Sequence, residues 1–194
     1  MAVSSRIPWI RRTAWASACF FLLALAARDV QWDRRLVLTA DVWQNRTTRY
    51  LTSFGPPVRV NVGPEGLGLV GEPVYVNLRL PRWFRRVVVE VQYTNAANTS
   101  FRVGVRTHPT QWSLLLKTVE PSAGDPVRDP EVVVTEQDGV TTARIPFALT
   151  RAWQTERNTY RLVLVAAPAE QPIRILGFRV LAERDPICVG RWCL

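Results

Sequence analysis

Two short stretches hold the side chains best suited to gripping a ligand. Trp83 and Phe84 stand among three arginines in Arg82–Arg86, and the segment HPTQW carries His108 and leads into Trp112. Flat aromatic rings stack on sugar faces, and arginine forks donate to hydroxyl and carboxylate oxygens. On that chemistry Trp83, Arg85, His108 and Trp112 form the expected glycan-binding set. The loops 81–86 and 108–111 are expected at one end of the fold, because strands that reverse at each turn send alternate loops to the same end. A plainer reading stands beside this one. One of the two aromatics plugs the open end of a core while the arginines solvate the corner. Phe84 is the expected plug, because the inward phase resumes at Val87.

Other chemistry is thinly supplied. His108 is the one histidine, so no His-rich zinc cluster can form and a serine nucleophile would have one imidazole to draw on. Glu72, Glu90, Glu120 and Glu136 are available for the facing carboxylates of a glycosidase, but nothing in their spacing marks a pair. Asp125, Asp129 and Glu131 in SAGDPVRDPE offer oxygens to calcium, and their Asp-Pro steps also read as plain turn formers. The expectation is a non-catalytic protein without a cofactor, calcium being the one ion considered. Cys188 and Cys193 in CVGRWC read as a disulfide closing a small loop rather than as a redox pair, since the spacing is not C-x-x-C. Asn45-Arg46-Thr47 and Asn98-Thr99-Ser100 match the N-glycosylation pattern.

The elements that must position these residues are strands. Alternation of apolar and polar residues runs almost unbroken past Arg35. In VYVNLRL the residues Val74, Val76, Leu78 and Leu80 share one face; in VVVEVQY, Val87, Val89, Val91 and Tyr93 do so. FRVGVRT turns Phe101, Val103 and Val105 inward, and YRLVLVA does the same with Tyr160, Leu162 and Leu164. Strands are predicted near 36–43, 58–62, 73–80, 87–93, 101–107, 112–118, 131–136, 140–149, 160–166 and 173–182. Asp138-Gly139 is the clearest hairpin turn, Gly177 a phase break of the β-bulge kind, and LTRAWQTERN the one segment able to form a helical turn or two. Short antiparallel strands with one apolar face each call for two packed sheets. The outward arginines Arg79, Arg102, Arg106, Arg161 and Arg174 make either a solvated face or a basic face for a polyanion.

The segment NTYRLVLVAAPAEQPIRILGFRVLAE resembles the last two strands of galactose-binding-like jelly rolls, the architecture of many carbohydrate-binding modules. GEPVYVNLRLPRWFRRVVVEVQY is similar to their early pair. The likeness covers about 73–183 in strand order and pattern. It implies an all-β, antiparallel two-sheet jelly-roll β-sandwich acting as a binding module, and it carries over no site residues.

The N-terminal part differs in kind. Arg6, Arg11 and Arg12 precede the apolar run Thr13–Ala27, fifteen residues that as a helix would span roughly 23 Å against a hydrocarbon core of roughly 30 Å. Ala24-Leu25-Ala26 fits the small-x-small cleavage rule. Residues 1–27 therefore read as a signal peptide or an N-terminal membrane anchor, with a buried core helix as the remaining alternative. Residues 28–187 form the sandwich domain and 188–194 a tail. Localisation is expected to be extracytoplasmic, secreted or held to the membrane through residues 13–27. There are 24 arginines and one lysine, Lys117, and the net charge is +9. Such a surplus favours anionic surfaces. Export turns that preference away from nucleic acid and toward cell-surface or extracellular glycans. The alternatives are an envelope protein as partner in a structural or assembly role, or a hydrolase with an unrecognised carboxylate pair.

Overall fold

A computed structural model describes residues 7–28, 35–81, 83–96, 98–121, 127–167, 172–184, 188–189 and 192–193, with the backbone alone for 7–11, 23–28, 188–189 and 192–193. The chain divides into two units, Met1–Arg34 and Arg35–Leu194. In the first, helix α1 runs from Ile7 to Arg28. Its side chains from Arg12 to Leu22 are all exposed, Phe20 and Phe21 among them. Among the described residues no helix is long and apolar enough to cross a membrane.

The second unit is built of strands: β1 (Arg35–Thr39), β2 (Val60–Gly63), β3 (Gly66–Leu69), β4 (Val74–Arg79), β5 (Phe84–Thr94), β6 (Phe101–Arg106), β7 (Leu114–Glu120), β8 (Val133–Gln137), β9 (Val140–Ala148), β10 (Thr159–Ala166), β11 (Ile173–Arg184), β12 (Cys188–Val189) and β13 (Trp192–Cys193). The larger sheet has the order β2-β3-β11-β5-β9-β8, with β1 also paired to β11; the smaller has the order β4-β10-β6-β7. Every pairing is antiparallel. The apolar phase of each strand decides which side faces the core. Val87, Val89, Val91 and Tyr93 from β5 are buried in one cluster with Val74, Val76 and Leu78 from β4 and Val103 and Val105 from β6. Burying such side chains is worth about 1.5–3 kcal/mol each, which makes the alternation decisive for register.

Two local devices adjust the phase. At the start of β5 the pairing with β11 shifts between Glu183 and Arg184, so Arg85 and Arg86 both lie exposed while Phe84 and Val87 both point inward. The second half of the segment 81–86, from Phe84 on, is therefore a bulged strand end. The expected bulge at Gly177 is present, with Leu176 passed over between the pairs Ile175–Tyr93 and Gly177–Gln92. The hairpin at Asp138 and Gly139 forms as expected, with positive φ at both residues (52° and 74°). LTRAWQTERN yields a single 3-10 turn at Arg151–Trp153.

Strand β1 stops at Thr39, short of the expected 43. The chain then crosses to the other sheet, where Leu51 bridges Leu78 and Gly55 bridges Tyr75. Phe54 anchors this crossing with its ring edge-on to Phe178 at 5.2 Å, and the Asn45 amide binds both the N–H and the C=O of Phe54. The strand Gly66–Leu69 has no counterpart among the predicted strands, because GLGL has no polar residue to mark an outward face and all four residues are buried.

Candidate functional site

Strand β10 runs antiparallel to both β4 and β6, so those two run the same way and their outgoing loops share one end of the smaller sheet. Trp83 lies on the loop after β4, and His108 and Trp112 on the loop after β6. Phe84 is 2% exposed and Trp83 56%, so Phe84 is the plug and Trp83 the aromatic left at the surface. His108 is turned to its own loop. Its Nδ1 accepts N–H groups from Gln111 at 2.9 Å and Thr110 at 3.3 Å. Accepting at Nδ1 places the ring hydrogen of the neutral form on Nε2, the nitrogen left for a ligand. Arg82 lies outside the described residues.

Trp112 is drawn toward the sheet. The guanidinium of Arg106 sits over its ring at 5.3 Å from the centroid, and Arg106 Nε donates to the carbonyl of Gln111 at 3.1 Å. Arg106 belongs to the outer face of the smaller sheet, and that face has an unusual makeup. Tyr75, Asn77 and Arg79 come from β4, Arg161 and Val163 from β10, Arg102 and Arg106 from β6, and Leu114, Leu116 and Thr118 from β7. Four of the five outward arginines of the sequence reading are thus gathered here. The fifth, Arg174, is on the other sheet and pairs with Glu65. Among the described residues no carboxylate stands on the outer face of the smaller sheet.

Two of these arginines, Arg106 and Arg161, are held rather than loose. Arg161 lies over the Tyr75 ring at 4.8 Å and donates from Nε to Asn77 Oδ1 at 3.0 Å. Stacking fixes the fork plane and leaves its terminal N–H groups for a planar anion. Arg102 Nε is buried and has no hydrogen-bond partner among the described residues. A buried donor without an acceptor costs stability.

A concavity opens at the opposite end, where Thr94, Asn95, Glu120, Arg128, Glu136 and Thr141 line a polar cleft of about 500 Å³. Glu120 is tied on both oxygens. Tyr93 donates to Oε1 at 2.6 Å, and Arg128 pairs with Oε2 at 3.3 Å. Burial first, and then the bond to Glu120 and its charge, push the Tyr93 phenol well above the usual tyrosine range. Glu136 lines the same cleft but is exposed. Nothing in the spacing of Glu120 and Glu136 marks them as a pair, because they come to one cleft only through the placement of β7 and β8. Two further clefts, of about 330 and 610 Å³, flank the larger sheet near Arg86 and Val88. Trp83, Arg85, His108 and Trp112 line none of these three clefts.

No family model, curated protein or solved structure matches the chain.

Of the oxygens considered for calcium, Asp125 lies outside the described residues. Asp129 Oδ1 accepts the N–H of Glu131 at 3.0 Å, and the Glu131 carboxylate pairs with Lys117. Among the described residues no three His, Cys, Asp or Glu side chains group as a metal site. In β12 and β13, Cys188 stands opposite Cys193 in register; their side chains lie outside the described residues.

Proposed function

We propose that this chain is an exported or membrane-tethered, non-catalytic binding module that holds an anionic glycan on the outer face of its smaller sheet, with Trp112 and Trp83 at the rim. The observation that carries the reading is the carboxylate-free face of Arg79, Arg102, Arg106 and Arg161, two of them fixed over aromatic rings. Carboxylate or sulfate groups of the glycan take the forks, and sugar faces rest on the exposed parts of the indoles. Arg85 and Nε2 of His108 are peripheral donors in this arrangement.

The strand order supports the finer architecture. With β1, β4, β5, β6, β7, β9, β10 and β11 taken as the principal eight, one sheet reads 1-8-3-6 and the other 2-7-4-5. Nearly every connection passes from one sheet to the other, as two interlocked Greek keys require, which supports the jelly-roll reading. The basic, apolar and small-residue order of the first 26 residues supports export, either with cleavage after Ala26 or with the segment kept as an anchor.

The test is a glycan array probed with the full chain in mild detergent, followed by titration of the best hits at two salt concentrations. Carboxylated or sulfated glycans should bind and neutral ones should not. Arg106→Ala and Arg161→Ala should each weaken binding by roughly 5- to 30-fold, the loss of one charge-assisted contact. A silent array with intact folding refutes the glycan reading. It would leave the structural or assembly role, for which the outer face of the larger sheet offers a surface.

A further inference from the structure

The outer face of the larger sheet is ordered in rows. Val37, Leu181, Val88 and Pro146 stand side by side across β1, β11, β5 and β9, each opposite the next in register. Val37 is 57% exposed, and Leu181, Val88 and Pro146 are half-buried. On one side of this apolar row lies Arg35, Glu183, Arg86, Ala148; on the other lies Thr39, Arg179, Glu90, Arg144. Within the sheet, Arg35 pairs with Glu183 at 3.1 Å, and Glu90 takes Arg144 and Arg179 at 3.5 Å each.

The two charged rows are related in sign, strand by strand. Along β11, Glu183 and Arg179 flank Leu181; along β5, Arg86 and Glu90 flank Val88. A two-fold axis lying along the apolar row carries each strand onto itself and exchanges the flanking rows. It sets Leu181 and Val88, which line the cleft of about 330 Å³, opposite their own copies. It also sets Glu183 against Arg179 of the second copy and Arg86 against Glu90 of the second copy, with both contacts repeated by symmetry. The other two strands oppose Arg35 to Thr39 and Arg144 to Ala148, which are uncharged. We infer that the chain forms a two-fold dimer through the outer face of its larger sheet, the second copy of this chain being the occupant of the apolar row.

The opposite signs along β11 and β5 meet only in a self-complementary, isologous contact, and they act against a net charge of +2 on the three rows of each copy, four arginines against two glutamates. The face is five strands wide, from β1 to β8, with strands of five to twelve residues, so it hides on the order of 700 Å² per copy, near the area of a standard interface. Its polar flanks fit a dimer in the range of about 1–100 µM rather than an obligate one.

Sedimentation velocity over a concentration series of the full chain in mild detergent tests this. The wild type should show a concentration-dependent dimer. Glu183→Arg, which sets like charges against Arg179 of the second copy twice per dimer, should raise the dissociation constant roughly tenfold or more. The double exchange Arg179→Glu with Glu183→Arg restores opposite signs and should recover most of that loss. Circular dichroism and melting of each variant separate misfolding from lost association, and Arg86→Glu with Glu90→Arg is the independent pair if the first does not fold. A wild type that stays monomeric throughout, as a protein using this face for a different partner would, overturns the inference. So does an exchange variant that folds yet associates no better than Glu183→Arg.

Discussion

Tyr93 donates its hydroxyl to Glu120 across the two sheets at 2.6 Å, joining β5 of one to the last residue of β7 in the other. The Tyr93 side chain is fully buried and also packs against Phe101, 5.0 Å between ring centroids. Its phenol titrates well above the ordinary value of 10.0. A raised folded-state value means that the native protein keeps this proton when the unfolded chain releases it. The stabilisation is whole below the ordinary tyrosine value and is lost as pH rises above it. Above about pH 10 it should fall by about 1.4 kcal/mol per pH unit. Tyr93→Phe should flatten that alkaline limb, measured by urea unfolding between about pH 8 and 11.5. Equal limbs in the two proteins would contradict the assignment.

Phe84 and Trp83 are neighbours with opposite fates. Phe84→Ala removes a ring from the core and should destabilise by about 3–5 kcal/mol. Trp83→Ala should change stability by no more than about 1 kcal/mol but weaken glycan binding. Urea midpoints and array titrations of the two variants separate the roles.

Gly104 sits in β6 opposite Leu116, where an added Cβ would meet the Leu115 carbonyl and the Leu116 side chain. Backbone cannot yield as a flexible side chain does. Gly104→Ala should therefore cost about 1–3 kcal/mol in unfolding free energy, and it should spread the β6–β7 pairing that holds the Trp112 loop. Hydrogen exchange of the Leu116 amide region would report the spreading.

His108 has two separable tasks. His108→Asn offers an acceptor where Nδ1 stands and removes Nε2, so the 107–113 turn should persist while any Nε2 contact to the glycan is lost. His108→Ala should lose both. If the two variants bind a carboxylated or sulfated glycan equally well, and as well as the wild type, the ring has no part in recognition.

What could be read from residue types alone was whatever depends on near neighbours. The alternation fixed which side chains of β4, β5, β6 and β10 go inward, because burial of a valine or leucine favours one phase so strongly. Asp138-Gly139 specified its own turn, and the basic-then-apolar order of residues 6–27 marked that segment off from the sandwich. The outward arginines were equally legible, but their assembly was not. Arg102, Arg106 and Arg161 meet Tyr75 on one face only because β10 inserts between β4 and β6, residues far apart in the chain. The same holds for Glu120 with Tyr93 and for the row Val37, Leu181, Val88, Pro146. Pairing partners are chosen by long-range closure of the two sheets, and periodicity of two carries no record of which strand comes to lie beside which.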